Sequence, residues 1–248
     1  MKIGVIGVGH IGKTVAQKLS SAGHDVKVAN SRGPETIDAE VLTTGARAVT
    51  AAEAVSGVDV LILSIPLHRL PEVAPLIAGL PAEAVVIDTS NYYPLRDTVV
   101  EAIEAGKVES LWASEVLGRP VVKAWNAIGS DSLAAKGTPA GSPDRIAIPV
   151  AADERAHREL GMALVEDTGF DGFDAGTLAD SWRQQPGAPS YCTDLTREQM
   201  QGALDLAEAS RLPRRRDLAV EAIMERVGDS KTNPSADFGV RLSRALFM

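Results

Sequence analysis

Residues 3–12 read Ile3-Gly4-Val5-Ile6-Gly7-Val8-Gly9-His10-Ile11-Gly12. A short aliphatic run ends in glycines spaced Gly7-x-Gly9-x-x-Gly12, and an apolar-periodic segment, 11–21, follows at once. A strand that runs into a helix through such a turn opens a βαβ unit. Each glycine has its own physical task. Gly7 permits the tight turn, Gly9 leaves room for backbone to approach a pyrophosphate, and Gly12 lets the helix pack closely on the strand. The helix N-terminus then offers unbonded N–H groups and positive dipole to the anion, contacts that include the backbone of Val8, His10 and Ile11. The competing reading is a glycine-rich turn without a ligand. The strand before it and the helix after it favour a dinucleotide.

Working outward, further aliphatic runs lie at 26–29, 60–65, 85–87, 121–124 and 146–150. None alternates strictly with polar residues, so both faces are expected to be buried, as in a parallel sheet. Helical patterns separate them at 34–43, 51–55, 71–78, 98–105 and 154–166. Alternating strands and helices predict an α/β fold, a doubly wound Rossmann-type parallel sheet. Gly23, Gly45 and Gly169 stand where left-handed helix caps belong. The texture changes near Gly176. A loop-like stretch with Pro186, Gly187 and Pro189 leads to helical patterns at 197–210 and 214–227, separated by Pro213, and a short one at 236–246. The expected division is a dinucleotide-binding Rossmann domain over 1–176 and a helical extension over 177–248 packed on it, without a long linker.

The second strand bears on which dinucleotide is bound. A site for NAD carries an acid about 20 residues on, bonded to the ribose hydroxyls. Here the strand ends in Asn30-Ser31-Arg32-Gly33, with no carboxylate at its tip. A guanidinium and a hydroxyl suit the extra 2′-phosphate of NADP, Arg32 pairing with it and Ser31 donating to it. The alternative is a turn that only starts the next helix. Ser64-Ile65-Pro66 and Asp88-Thr89-Ser90-Asn91 close later strands at the same sheet edge, where open α/β sheets bind ligands. Ile65 and Pro66 are candidates to pack on the cofactor rings, and Asn91 to bond ribose or carboxamide, or else to serve as an ordinary turn residue.

Composition narrows the function further. The 248 residues include 25 Lys and Arg against 33 Asp and Glu, a net charge of −8. Such a chain repels phosphate backbones, and aromatics at 4% offer few platforms for stacked bases, so no nucleic-acid partner is expected. The single cysteine, Cys192, cannot close an internal disulfide, which points to a reducing compartment. No apolar run approaches the roughly 20 residues of a membrane helix. The glycines near the start and the lack of a small-residue cleavage site argue against a signal peptide. The expectation is a cytoplasmic protein with a small-molecule acceptor and no membrane partner; a homodimer stays open. His10, His24 and His157 show no metal-ligand spacing with Cys192 or each other, and no metal is proposed.

Assembled, these residues resemble the coenzyme-F420-dependent NADP oxidoreductase family, in a longer bacterial-type subgroup. The resemblance runs over most of the first 190 residues. It rests on the glycine loop, the Asn30-Ser31-Arg32 tip, the Ser64-Ile65-Pro66 turn, Lys123-Ala124-Trp125-Asn126-Ala127-Ile128, and Phe173-Asp174-Ala175-Gly176-Thr177-Leu178. It implies an NADP-binding Rossmann domain that holds the nicotinamide beside a hollow for the acceptor, with F420 or a flavin among the acceptors. By position, Asn126, Ala127 and Ile128 belong beside the nicotinamide, Asn126 as the residue that positions it. Gly176 and Leu178 belong at the acceptor hollow. Compact members end soon after that last segment, whereas this chain continues, and the acceptor stays open.

The expected activity is hydride transfer between NADP(H) and a small or planar acceptor. Transfer to a flavin-like ring needs alignment more than acid–base help. A carbonyl or imine acceptor, the alternative, needs a proton donor, for which Lys123, Tyr92, Tyr93 and His68 are candidates. Lys123 reads better as a charge snorkelling from the sheet edge, the tyrosines as packing or substrate wall, and His68 as structural. Trp182 and Arg183 are candidates to stack on and pair with a planar anionic acceptor, or to anchor the extension. Arg211, Arg214, Arg215 and Arg216 read as a solvated helix start. A non-catalytic NADP(H) sensor is the reading from another class, since the fold alone does not separate the two.

Overall fold

The computed structural model describes residues 1–228 and 232–248. Its strands are β1 (Lys2–Ile6), β2 (Asp25–Ala29), β3 (Arg47–Ala48), β4 (Val60–Leu63), β5 (Val85–Asp88), β6 (Val121–Lys123), β7 (Ala147–Val150) and β8 (Asp171–Asp174). The helices of the first half are α1 (His10–Ser21), α2 (Ala51–Val55), α3 (Leu70–Ile77), α4 (Pro94–Asp97), α5 (Glu101–Glu104) and α6 (Glu109–Leu117). Those that follow are α7 (Ser130–Ala135), α8 (Arg155–Asp167), α9 (Arg197–Asp205), α10 (Leu212–Val227) and α11 (Ala236–Phe247). Strands β3-β2-β1-β4-β5-β6 form one sheet in that order, and every pairing is parallel. The order reverses at β1, where Val5 faces Val28 on one side and Ile62 on the other. This is the doubly wound, Rossmann-type arrangement.

The aliphatic runs form strands because both of their faces are covered. Ile3, Val5, Val28, Ile62 and Ile87 join Val15 and Leu19 of α1 and Leu164 of α8 in one buried cluster. Ile6, Leu61, Leu63 and Val86 join Leu70 and Ile77 of α3 and Leu117 of α6 in the other. Adjacent strand residues alternate between the two clusters, as a side-chain period of two requires. Gly23, Gly45 and Gly169 all take positive φ, as expected of left-handed caps.

Several elements differ from the expectation. The run 146–150 is not a strand of the main sheet. It forms β7, which pairs in parallel with β8 in a separate two-stranded sheet. Among the described residues, an antiparallel bridge between Lys123 and Ala151 is what joins the two sheets, and Pro149 supplies no ladder N–H. The place at the far edge belongs to β3, two residues with no aliphatic signature. The pattern at 34–43 resolves into two 3-10 turns, Pro34–Thr36 and Ala39–Leu42, because the Asp38 carboxylate accepts from the Glu40 N–H and restarts the chain. Thr98, at φ 59°, ends α4, and the pattern at 98–105 is helical only over α5. Helix α6 escaped the reading because two polar residues, Glu109 and Ser110, are buried at its start.

The extension is continuous with the sheet's core. Leu178 is buried in the second cluster, and the Ser181 hydroxyl donates to Ser110 Oγ at 2.9 Å. Pro213 does not separate two helices. It sits in the first turn of α10, where a missing N–H loses no helical bond. Helices α10 and α11 close over the carboxyl ends of the strands. Arg211 and Arg214 are exposed, as a solvated helix start requires, but Arg216 is buried. Among the described residues, no helix is long and apolar enough to cross a membrane.

Lys123 corrects the expectation of a snorkelling charge. Its ammonium is wholly buried and donates to Asp88 Oδ2 at 2.7 Å, to a carboxylate equally buried, and to the Ser90 carbonyl. Truncating one partner of such a pair leaves an uncompensated charge. Lys123→Met is therefore expected to lower stability by about 3–5 kcal/mol. Adding Asp88→Leu to that variant should recover most of the loss, as read from urea unfolding at pH 7.

Candidate functional site

The glycine loop has the geometry its spacing implies. Gly7 sits at φ 99°, and a Cβ there would lie 2.2 Å from the Ser64 carbonyl oxygen. A Cβ on Gly12 would lie 2.0 Å from the Gly7 oxygen, so these two glycines let α1 and β4 close on the turn. Gly9 is different. A Cβ there meets nothing within 4 Å, and Gly9 N-caps α1 without a side-chain bond to the first turn. Open space beside helix N–H groups is what a pyrophosphate needs, and the residues present fit one. Val8, in contrast, packs toward the first core cluster.

At the tip of β2 the Asn30 side chain builds the turn. Its Oδ1 accepts from the Arg32 N–H at 2.9 Å, and its Nδ2 donates to Thr36 Oγ1 at 2.9 Å. Ser31 and Arg32 are left exposed at the tip, available to a phosphate.

A cleft of about 410 Å³ opens at the carboxyl ends of the strands. One wall holds Gly9, His10 and Ile11, the Ser64-Ile65-Pro66 turn, Asn91, Asn126 and Ile128, so the structure brings these predicted residues together. The opposite wall is Val220 and Ile223 of α10 with Val240 and Phe247 of α11. That wall was not foreseen, nor were Arg96, Tyr191, Cys192 and Arg216, which also line the cleft. The signal for them was weak: apolar residues at helical spacing in the tail read as ordinary packing. Ala127 lies behind the cleft, buried in a cluster with Ala188 and Leu212.

The four residues expected at the acceptor hollow lie elsewhere. Leu178 is core, and Gly176 shapes the turn after β8, where its N–H donates to Asp174 Oδ1 at 2.9 Å. Trp182 packs against the cluster that holds Ala188 and Leu212. The Arg183 guanidinium stacks on its ring at 4.6 Å and pairs with Asp180 at 2.6 Å. This arrangement anchors the extension. His68 pairs with Asp97 at 2.9 Å, and the buried Tyr92 hydroxyl accepts from the Val100 N–H, so neither belongs to the cleft wall.

Three amides fix the cleft floor. Gln184 Nε2 donates to Asn126 Oδ1 at 2.9 Å, Asn126 Nδ2 to Asn91 Oδ1 at 3.1 Å, and Asn91 Nδ2 to Tyr191 Oη at 3.2 Å. The second hydrogens of the amides go to the carbonyls of Pro149, Gln184 and Asn126. The Tyr191 and Tyr93 hydroxyls then meet at 2.7 Å. Burial raises both phenols above their ordinary range, which keeps them protonated. Burial also pushes the Cys192 thiol up to about 12, a poor nucleophile. Below the floor, burial lifts the Glu109 carboxyl to about 7, against the pull of Lys123 and Arg216 and a hydrogen bond from the Tyr92 N–H.

Residues 2–92 match the family model described as "NADP oxidoreductase coenzyme F420-dependent". Over 70 residues, 28% of this chain, the sequence is 49% identical to "Putative protein YjhV" of Escherichia coli (strain K12). The match spans about half, 51%, of that protein's length. Among solved structures, the hypothetical protein SMa0349 from Sinorhizobium meliloti superposes with a TM-score of 0.68 at 26% identity, over 79% of this chain and 95% of that one. A "putative f420 dependent nadp-reductase" from Arthrobacter sp. fb24 superposes at TM-score 0.56 and 17% identity, over 95% of this chain and 98% of that one. The second likeness shows the fold, and it extends through the helical tail. The chain thus carries a Rossmann-type fold whose first part resembles an NADP oxidoreductase family.

Two expected outcomes follow from this geometry. Gly9→Val fills open space, so circular dichroism should show a folded protein while NADPH titration shows binding lost. Glu109 has a folded pKa above its unfolded value, so its ionisation opposes folding: stability falls as pH rises from about 4.5 to about 7. Glu109→Gln should flatten that slope and add about 2–3 kcal/mol at pH 8, measured by urea unfolding across the pH range.

Proposed function

We propose, from the match of residues 2–92 to the family described as "NADP oxidoreductase coenzyme F420-dependent", that the chain transfers hydride between NADP(H) and an acceptor held in the cleft. The observation that carries the proposal is the open space at Gly9, continuous with a cleft that runs along the strand ends and is closed by the apolar wall of α10 and α11. Gly7, Gly9 and Gly12 would hold the pyrophosphate, with the backbone of His10 and Ile11. Ser31 and Arg32 would take the 2′-phosphate. Ile65, Pro66 and Ile128 would press on the rings, and Asn91 and Asn126 would set the floor beneath the nicotinamide. The bound dinucleotide supplies the hydride; this chain aligns it and excludes water.

The family's description names a deazaflavin, which stands among the acceptors to be tested beside small carbonyls and imines. A non-catalytic sensor has less support, because binding a dinucleotide does not require a second apolar wall facing the strand ends. NADPH oxidation against coenzyme F420, flavins, quinones and small carbonyls and imines tests the proposal. Oxidation coupled to one acceptor class supports an enzyme; tight NADPH binding with no acceptor in any class would favour the sensor.

Arg32 gives the sharpest test of cofactor choice. A hydrogen bond to a charged group contributes about 1.5–3 kcal/mol, so Arg32→Ala should weaken NADPH binding roughly 10- to 150-fold and leave NADH nearly unchanged. Added salt should weaken NADPH more than NADH, since the pair is exposed and screened. Fluorescence titration of both cofactors reads the ratio, and an unchanged ratio would remove the assignment to NADP.

A further inference from the structure

We infer that Tyr93 donates the proton to the acceptor and that the acceptor is therefore a small carbonyl compound, whose oxygen the Tyr93 hydroxyl meets as its carbon takes the hydride. This rests on the reading of the cleft as the site of hydride transfer from NADPH. It comes from counting hydrogens along the cleft floor. The chain Gln184–Asn126–Asn91–Tyr191 is directional, because Asn126 Oδ1, Asn91 Oδ1 and Tyr191 Oη each accept from the residue before, while Gln184 Oε1 at its head has no partner. Both hydrogens of all three amides are placed. Tyr191 and Tyr93 bring two hydroxyl hydrogens but share one bond between their oxygens. One O–H therefore remains to donate. The Cys192 sulfur also lies within hydrogen-bond reach of the Tyr191 hydroxyl, but a thiol is a weak acceptor beside a phenol oxygen, so the Tyr191–Tyr93 bond takes the Tyr191 hydrogen.

The direction of the chain says which hydroxyl is left over. Tyr191 Oη already accepts from Asn91, and accepting a bond makes its own O–H the better donor. Tyr191 then donates to Tyr93, and the spare hydrogen belongs to Tyr93. Burial agrees: Tyr191 is buried, whereas Tyr93 keeps partial exposure where it lines the cleft. The Arg96 guanidinium lies 5.2 Å from the Tyr93 ring centre and is held there by two bonds to the buried Asp97 carboxylate and one to the Asn91 carbonyl, each at 2.7 Å. It favours negative charge on the Tyr93 oxygen at the moment the proton leaves.

The step balances. A new C–H bond forms at the carbonyl carbon, and the carbon–oxygen π pair moves onto oxygen. The Tyr93 O–H bond breaks as its proton joins that oxygen, so the acceptor is reduced to an alcohol while the dinucleotide is oxidised. An alkoxide is a far stronger base than a phenolate, so even a raised phenol gives its proton downhill. Water entering as the alcohol leaves returns a proton to Tyr93. Size points the same way. A cleft of about 410 Å³ lies near the low end of small-molecule sites and must hold the nicotinamide and the acceptor together.

Tyr93→Phe and Tyr191→Phe keep the ring and lose one hydroxyl each. Wild type and both variants would be assayed with aliphatic and aromatic aldehydes and ketones, with coenzyme F420 and with flavins, alongside NADPH affinity and melting temperature. Binding of carbonyl-13C cyclohexanone to the NADP⁺-loaded proteins would be followed by NMR. The expected result is carbonyl-dependent NADPH oxidation that falls 100-fold or more in Tyr93→Phe and about 10-fold in Tyr191→Phe, with NADPH affinity within twofold of wild type. The bound 13C signal should move downfield in wild type and lose that displacement in Tyr93→Phe. Turnover with F420 or flavin alone, carbonyl turnover untouched by Tyr93→Phe, or no displaced 13C signal would each overturn the inference and leave the NADP reading standing. Failure of the wild type to bind NADPH would overturn both.

Discussion

The buried bond between Lys123 and Asp88 is the constraint on which the cleft depends. It joins the last residues of β5 and β6, just where both chains leave the sheet toward Asn91 and Asn126. Two full charges in a dry interior persist only if each is matched at hydrogen-bond distance. The Ser90 carbonyl and the Ser90 N–H, bonded to the same ion pair, fix the first turn of the loop that carries Asn91 and Tyr93. A loop free to shift by an ångström would break the Asn91–Asn126 contact. The ion pair thus acts on the site through backbone position, without entering the cleft.

The helical extension is part of the site. Gln184 starts the amide chain, Tyr191 continues it, and α10 with α11 form the wall opposite the strand ends. Trp182, stacked under Arg183 and packed beside Leu212, holds this segment to the domain. The fold therefore needs no second large domain to close the cleft. A helical pair supplies apolar surface, and the Rossmann domain supplies the polar groups. Local charge also departs from the mean. The chain is acidic overall, yet Arg96 and Arg216 both face this cleft, so its field is set by neighbours and burial more than by the net charge of −8.

Much of this was legible in the sequence, and the parts that were share a cause. The aliphatic runs, Gly7-x-Gly9-x-x-Gly12, the left-handed caps and the Asn30-Ser31-Arg32 tip are local patterns, each complete within about a dozen residues. Rossmann topology follows from them because few parallel arrangements satisfy alternating strands and helices. The turn residues Ser64 to Pro66 and Asn91 were placed at the right edge by the rule that ligands meet the carboxyl ends of strands.

The tertiary structure alone decided what those ends face. Lys123 reads as a surface lysine until Asp88, 35 positions away, is set against it. Tyr93 and Tyr191 are 98 positions apart, and their shared hydrogen has no trace in either neighbourhood. Leu178 and Trp182 carry the residue types of an acceptor site, yet packing took one into the core and the other into an anchor. The run 146–150 has the composition of a main-sheet strand, but its partner was decided by the path of the chain after α7. Periodicity reports which face of an element is buried; it carries no information about which distant side chain will be found there.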